Sequence, residues 1–256
     1  MAKTSIYDSL VQARASGQKQ LAVLVDPDKA EGGQLSRLAA LAEESKVDYF
    51  FVGGSLIVQD RLEECLQLLR SVSSIPRILF PGSAFQISDL ADGLLFLSLI
   101  SGRNAELLIG SHVIAAPYLK RSRLEVLPTG YMLVDGGAPT TVSYISNTFP
   151  IPADKDDIAA CTAMAGEMLG LKMIFLDAGS GARQPVSTAM IEAVARSVDL
   201  PLVVGGGIRT PERALANVQA GADLIVVGNA LETDPGLMRA MAQAIHSASR
   251  SEFASK

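Results

Sequence analysis

The chain has 256 residues, 48% of them hydrophobic, which is enough for one large core and argues against disorder. Its formal net charge is −5, and with no Lys/Arg-rich run the sequence points away from nucleic acid as a partner. Mean hydropathy is high at +0.29, yet no apolar stretch approaches the roughly 18 residues that a membrane-crossing helix needs.

In chain order, the opening MAKTSIYDSL holds no apolar signal core, so a cytoplasmic location is expected. The apolar run LAVLVD (21–26) precedes the amphipathic QLSRLAALAEES (34–45), and YFFVGG (49–54) precedes DRLEECLQLLRSV (60–72). RILFPG (77–82) and LLFLSLI (94–100) come next, then TGYMLVDGG (129–137) and KMIFLDAG (172–179). GAPTTVSYISNTFPIPADK (137–155) reads as a long loop after the fifth run, and such loops in compact domains are commonly functional. STAMIEAVARSV (187–198) is a further helical pattern before PLVVGGG (201–207) and LIVVGN (224–229). Between the last two, Thr210 reads as an N-cap, with Pro211 at the first helical position and Glu212 in the first turn. The runs are continuously apolar, as parallel strands covered on both faces require. Eight such strands with helices between them predict a (β/α)8 TIM barrel, with residues 1–256 forming a single domain. A doubly wound open sheet is the alternative, weakened by the lack of a GxGxxG after the first strand. Cys65 and Cys161 sit in helical patterns, form no metal motif and read as buried thiols. The two histidines are His112 and His246, the latter expected to be solvated on a polar C-terminal helix. They give little support to a His-based metal site or a Ser/His/Asp triad.

In a barrel the active site lies at the C-terminal ends of the strands. Those ends carry Asp26, Gly53-Gly54-Ser55, Pro81-Gly82, Ser101-Gly102 and Asp135-Gly136-Gly137. The last three carry Asp177-Ala178-Gly179-Ser180-Gly181, Gly205-Gly206-Gly207 and Gly228-Asn229. Glycines after strands seven and eight let backbone amides approach a phosphate, and a helix dipole adds attraction. Plain turn glycine is the competing reading, weakened because the pattern occurs at both last strands. Asp177 is a candidate general base or hydroxyl acceptor, with an N-cap or Asx-turn as the bland alternative. Asp26, kept extended by Pro27, and the Ser55 hydroxyl could join diphosphate oxygens around Mg2+, although each could also serve a turn or a helix cap. Two anion sites across one barrel mouth suit the joining of two phosphorylated substrates.

The segments LVDPDK, VGGS, FPGSAFQIS, SLISGRNAELLIGSHVIAAP, PTGYMLVDGG, FLDAGSGA, VVGGGIRTPERA and IVVGNALE occur in this order over about residues 21 to 232. Together they resemble the geranylgeranylglyceryl phosphate synthase family, and related heptaprenylglyceryl phosphate synthases share part of the pattern. The resemblance implies a Mg2+-dependent prenyltransferase in which the sn-3 hydroxyl of sn-glycerol 1-phosphate attacks C1 of a long-chain prenyl diphosphate. It places Asp26 and Ser55 on the metal and diphosphate. It places Phe175, Leu176, Asp177, Ala178, Gly179, Ser180, Gly181, Gly206, Gly207, Gly228 and Asn229 on glycerol phosphate, with Asp177 as the candidate base. The chain departs from the pattern in two places. Phe175 and Asp177 stand where many members carry Tyr and Glu, and Leu24 stands where some carry Lys. The missing charge would have to come from elsewhere, with Lys29 and Arg183 as candidates.

A prenyl tail needs an apolar groove, and residues 94–119 offer one, with Tyr118 and Tyr131 as candidate walls and ordinary core packing as the competing reading. The resemblance also implies a homo-oligomer, a dimer or a hexamer, and transient membrane contact for product release is expected. The alternatives are a phosphosugar isomerase or lyase using Asp26 and Asp177 as an acid/base pair, and a non-catalytic binder of phosphate or prenyl lipid.

Overall fold

The eight apolar runs form eight parallel strands that close on themselves in sequence order, which excludes an open sheet. In this computed structural model, which describes residues 5–29, 31–59 and 61–248, the first four strands are β1 Gln20–Val25, β2 Tyr49–Gly54, β3 Arg77–Pro81 and β4 Gly93–Leu99. The others are β5 Glu125–Leu133, β6 Met173–Asp177, β7 Leu202–Gly205 and β8 Leu224–Val227. Of the expected 1–256 domain, residues 1–4, Ala30, Asp60 and 249–256 lie outside the described residues. Ten α-helices are described: α1 Ile6–Ala15, α2 Gly32–Glu44, α3 Leu62–Val72, α4 Ser111–Leu119, α5 Thr141–Ser146, α6 Asp156–Met168, α7 Thr188–Ala195, α8 Pro211–Gln219, α9 Asn229–Thr233 and α10 Leu237–Ser247. Thr210 does cap α8, its side chain accepting from Arg213 N, with Pro211 in the first turn.

Alternation along each strand divides the core in two. Phe51, Tyr131 and Phe175 turn into the barrel, where Phe175 lies 6.4 Å from Phe51 and 5.5 Å from Tyr131 by ring centroids. Phe50, Leu176 and Val204 turn outward onto the helix layer. Each fully buried side chain of this size contributes about 1.5–3 kcal/mol.

The N-terminal end of the barrel is sealed by carboxylates. Asp48, Asp92 and Asp223, each just ahead of a strand, accept the first free amides of neighbouring strands at Leu21, Arg77 and Leu202 (2.8, 2.9 and 3.0 Å). Helix α1 lies at this end, and its first amides, Ile6 N and Tyr7 N, donate to Glu125 at 2.6 and 2.8 Å. This helix has no counterpart in the expected elements.

Other differences have local causes. The fifth strand spans Glu125–Leu133 rather than 129–137; Val134 still donates to the Asp177 carbonyl of β6 at 2.9 Å but bridges Ile151 in parallel, and the regular strand ends before it. The expected loop 137–155 contains α5, started by a capping box between Thr140 and Ser143. Cys65 is buried, but Cys161 is exposed because α6 packs inward through Ala159, Ala163 and Gly166 instead. His246 is not simply solvated: it is half-buried, with Nε2 3.1 Å from Asp48 Oδ2.

The barrel wall departs from regularity at one place. β4 pairs with β5 over seven positions, but with β3 only at Ile78–Gly93 and Leu79–Leu94. Beyond those pairs β3 and β4 separate, and residues 82–92 between them contain no helix. A five-residue π-helical turn, Glu106–Gly110, then leads into α4.

Candidate active site

The C-terminal ends of β1, β2 and β6 to β8 surround a polar cavity of about 550 Å³. Two of its walls are the glycine loops after β7 and β8. The amides of Gly181, Gly206, Gly207 and Asn229 line it and have no acceptor among the described residues. Unspent amides converging on one cavity form an anion cradle. Gly206 is required there: its φ is +80°, and a Cβ would come within 2.6 Å of Ala178 N and of Asp177 Oδ1. Asn229 Nδ2 donates to Ser180 Oγ at 3.3 Å and ties the β8 loop to the β6 loop.

Asp177 ends β6, and its side chain faces this cavity while remaining 8% exposed. The Tyr131 hydroxyl donates to Oδ2 at 2.6 Å, and Gly179 N donates to Oδ1 at 2.7 Å. Burial raises the Asp177 pKa from its ordinary value, and the two donors oppose that rise only in part. Burial, followed by the neighbouring Asp177 charge, holds the Tyr131 phenol well above its usual pKa, so it stays protonated and donating. A buried, oriented carboxylate with a raised pKa is equipped to accept a proton.

Asp26 and Ser55 both line the same cavity from β1 and β2. Asp26 Oδ1 accepts from Asp28 N at 3.1 Å, and Oδ2 lies 3.2 Å from Lys29 Nζ. Asp28 turns away to cap Val58 N and Gln59 N at 2.6 and 3.0 Å. Among the described residues no three His, Cys, Asp or Glu side chains gather as a metal site. One carboxylate and one hydroxyl are a fitting donor set for Mg2+ only if diphosphate and water complete the shell.

A second, apolar cavity occupies the split between β3 and β4. It is lined by Phe80 to Ala84, by β4 from Leu94 to Leu97, and by His112, Ala115 and Leu119 of α4. Its His112 imidazole lies 3.2 Å from Ser98 Oγ and edge-on to Phe96, and burial lowers its pKa, keeping it neutral. The two cavities share Gly54, Ser55 and Phe80.

Of the residues singled out from the sequence, Asp26, Ser55, Phe175, Asp177, Gly179, Ser180, Gly181, Gly206, Gly207, Gly228 and Asn229 all line the polar cavity. Leu176 and Ala178 do not line it; both face the helix layer. Tyr131 lines the apolar cavity, and its hydroxyl reaches Asp177. Tyr118 lies outside that cavity, in a surface hollow with Asp89 and Arg121, whose guanidinium stands 5.4 Å over its ring. Lys29 lines the polar cavity and Arg183 does not; Leu24 abuts Gly228. Arg209 and Glu232 also line it and were not singled out, although both lie inside the quoted motifs VVGGGIRTPERA and IVVGNALE.

A closed parallel barrel with an amide-lined cradle after its last two strands defines a phosphate-binding TIM barrel. Within that class the chain belongs to the PcrB family, which its sequence matches over residues 15–248. It is 58% identical over 243 residues to geranylgeranylglyceryl phosphate synthase of Chitinophaga pinensis, covering 95% of this chain and 96% of that one. It is 56% identical over 232 residues to the protein of the same name from Spirosoma linguale, covering 91% and 93%. The fold matches the crystal structure of (S)-3-O-geranylgeranylglyceryl phosphate synthase from Thermoplasma acidophilum in complex with its substrate sn-glycerol-1-phosphate. The TM-score is 0.90 at 30% identity, with 96% of this chain and 100% of that chain covered.

Proposed function

We propose that this protein is a prenyltransferase joining geranylgeranyl diphosphate, or a similar long prenyl diphosphate, to the sn-3 hydroxyl of sn-glycerol 1-phosphate. The observation that carries this reading is the junction of the two cavities at Gly54, Ser55 and Phe80. An amphiphile with a diphosphate head beside Asp26 and an apolar tail in the β3–β4 split has its C1 atom between them. Family membership and the glycerol-1-phosphate-bound fold relative support the identity of the second substrate. A phosphosugar isomerase or lyase gives the apolar cavity no role.

Glycerol phosphate binds with its phosphate on the amides of Gly206, Gly207 and Asn229 and its glycerol hydroxyls toward Asp177. The Asp177 carboxylate takes the proton of the sn-3 hydroxyl, whose oxygen forms the new C–O bond to C1. The C1–O bond to diphosphate breaks, and the pair leaves with the diphosphate. Tyr131 and Gly179 hold the carboxylate in one orientation, so little reorganisation accompanies proton transfer. Asp26 and Ser55 are the residues that would hold Mg2+, which when bound neutralises diphosphate charge and eases its departure.

We further read the enzyme as cytoplasmic and homo-oligomeric, dimeric or hexameric, with transient membrane contact during product release. No helix among the described residues is long and apolar enough to cross a membrane. The test is incubation with Mg2+, labelled glycerol 1-phosphate and a panel of prenyl diphosphates. Label extractable into organic solvent, lost in Asp26→Ala, is expected. Folded protein that yields no extractable product with any chain length refutes the reading.

A further inference from the structure

The polar cavity is poorly balanced for the ligands it is asked to take. Among the described residues, its lining carries four carboxylates, Asp26, Asp177, Glu232 and Asp234, against two cations, Lys29 and Arg209. Arg209 spends Nη2 on the Ala182 carbonyl at 2.9 Å. Lys29 is placed differently. Its Nζ lies 3.2 Å from Asp26 Oδ2 and 3.3 Å from Glu232 Oε2, bridging the loop after β1 to α9. Those two contacts use two of the three donors of an ammonium. Its side chain is 55% exposed, so the head can move on its four-carbon stem.

We propose that Lys29 binds the diphosphate of the prenyl substrate beside Asp26, and that Glu232 is the positioning residue that keeps it there. This rests on the prenyltransferase reading above. Asp26 cannot serve a divalent cation and an ammonium equally, because the two cations repel each other. With Asp26 engaged by Mg2+, the Lys29 ammonium would keep its contact with Glu232 and so its place at the cavity wall. An ammonium held there would lie within reach of a diphosphate bound beside Asp26, since Lys29, Asp26 and Glu232 line one cavity. A retained positive charge there also stabilises diphosphate as it departs with the electron pair of the broken C1–O bond. Glu232 sits on α9, whose first residue, Asn229, belongs to the amide cradle, so one short helix serves both anion sites.

The test is calorimetric titration of the intact protein with inorganic pyrophosphate in the presence of Mg2+, and separately with sn-glycerol 1-phosphate. The proteins are wild type, Lys29→Met, Lys29→Arg, Glu232→Gln and the Lys29→Met/Glu232→Gln double variant. Losing one charge-assisted contact predicts about tenfold weaker pyrophosphate binding in Lys29→Met, with glycerol phosphate binding and the melting temperature unchanged. Lys29→Arg recovers most of the affinity. Glu232→Gln loses less than Lys29→Met and adds nothing in the double variant. Undiminished pyrophosphate binding in Lys29→Met overturns the assignment, and so does equal weakening of both ligands. Wild-type protein that neither makes extractable product nor binds magnesium pyrophosphate overturns the prenyltransferase reading itself. Wild-type turnover together with an unaffected Lys29→Met overturns only the role of Lys29.

Discussion

Tyr131→Phe isolates a single hydrogen bond in the active site without changing its shape. The ring stays in the aromatic cluster with Phe80 and Phe175, and only the 2.6 Å donor to Asp177 Oδ2 is lost. A hydrogen bond to an ionised group in the interior is worth about 2 kcal/mol. At roughly 2–4 °C per kcal/mol for a chain of this size, the melting temperature at neutral pH should fall by about 4–8 °C. The loss should depend on pH, with a definite sign. The folded-state pKa of Asp177 is raised, first by burial, above its unfolded value. Its contribution to stability is therefore fully present below the unfolded pKa and is lost as pH rises through the folded pKa. Tyr131 limits that loss by favouring the carboxylate. Without it, the titration moves to still higher pH, and the gap between variant and wild type opens as the solution becomes less acidic. If Asp177 is the base, the acid limb of kcat/KM shifts upward in the same variant. Thermal melts across a pH series and pH–rate profiles of labelled product formation measure both. A melting gap that is the same at every pH, with the acid limb unmoved, refutes the role of Asp177 as a buried base held by Tyr131.

Three further outcomes follow from separate parts of the structure. Gly206→Ala forces a side chain into a left-handed backbone and within 2.6 Å of Asp177 Oδ1, so it should cost at least about 1–2 kcal/mol and weaken glycerol phosphate binding more than tenfold; a variant with wild-type affinity would show that this loop does not shape the cradle. Asp223→Ala removes one acceptor shared by Lys19 (3.1 Å), Arg14 (2.8 Å) and Leu202 N, which predicts a loss of about 1–3 kcal/mol with unchanged activity per folded molecule; the midpoint of denaturant unfolding decides it. In a thiol titration of native protein one cysteine should react quickly, and Cys161→Ser should abolish that phase, because burial pushes the Cys65 thiol up to about 12; two fast thiols would contradict the packing of α3.

Much of the barrel was legible because parallel strands leave a simple trace: buried on both faces, they read as unbroken apolar runs, most of them ending at glycine or aspartate. The cradle was legible for a related reason. Glycines at 206 and 207 are demanded by positive φ and by contact with the β6 and 184–185 backbones, so chemistry and backbone geometry select the same residue. Tyr131 was harder to read. A tyrosine within an apolar strand looks like groove wall, and only the register that sets it beside Phe175 brings its hydroxyl to Asp177. Lys29 and Glu232 lie 203 positions apart, and no local pattern links them. Helix α1 was missed because it is short and half polar, and its anchoring carboxylate, Glu125, lies 119 residues away from Ile6.

The apolar cavity shows why a regular reading of the strands could not have located the site in full. Eight identical βα units would pair β3 and β4 along their length and cover them with a helix, leaving no room for a tail. Here only Ile78–Gly93 and Leu79–Leu94 pair. Above them the register is free, and the connection through Pro81, Gly82 and Ala84 carries no helix. Phe80 and Pro81 remain paired to Gly53 and Gly54 of β2, while β4 stays with β5, so the wall opens between two intact pairs of strands. The split starts beside the polar cavity at Phe80 and continues along Leu94 to Leu97. A closed barrel normally directs its chemistry upward, out of the mouth. By giving up a few ladder hydrogen bonds and one helix, this one gains a lateral apolar space continuous with the mouth, which is what a substrate with a charged head and a long hydrocarbon tail requires.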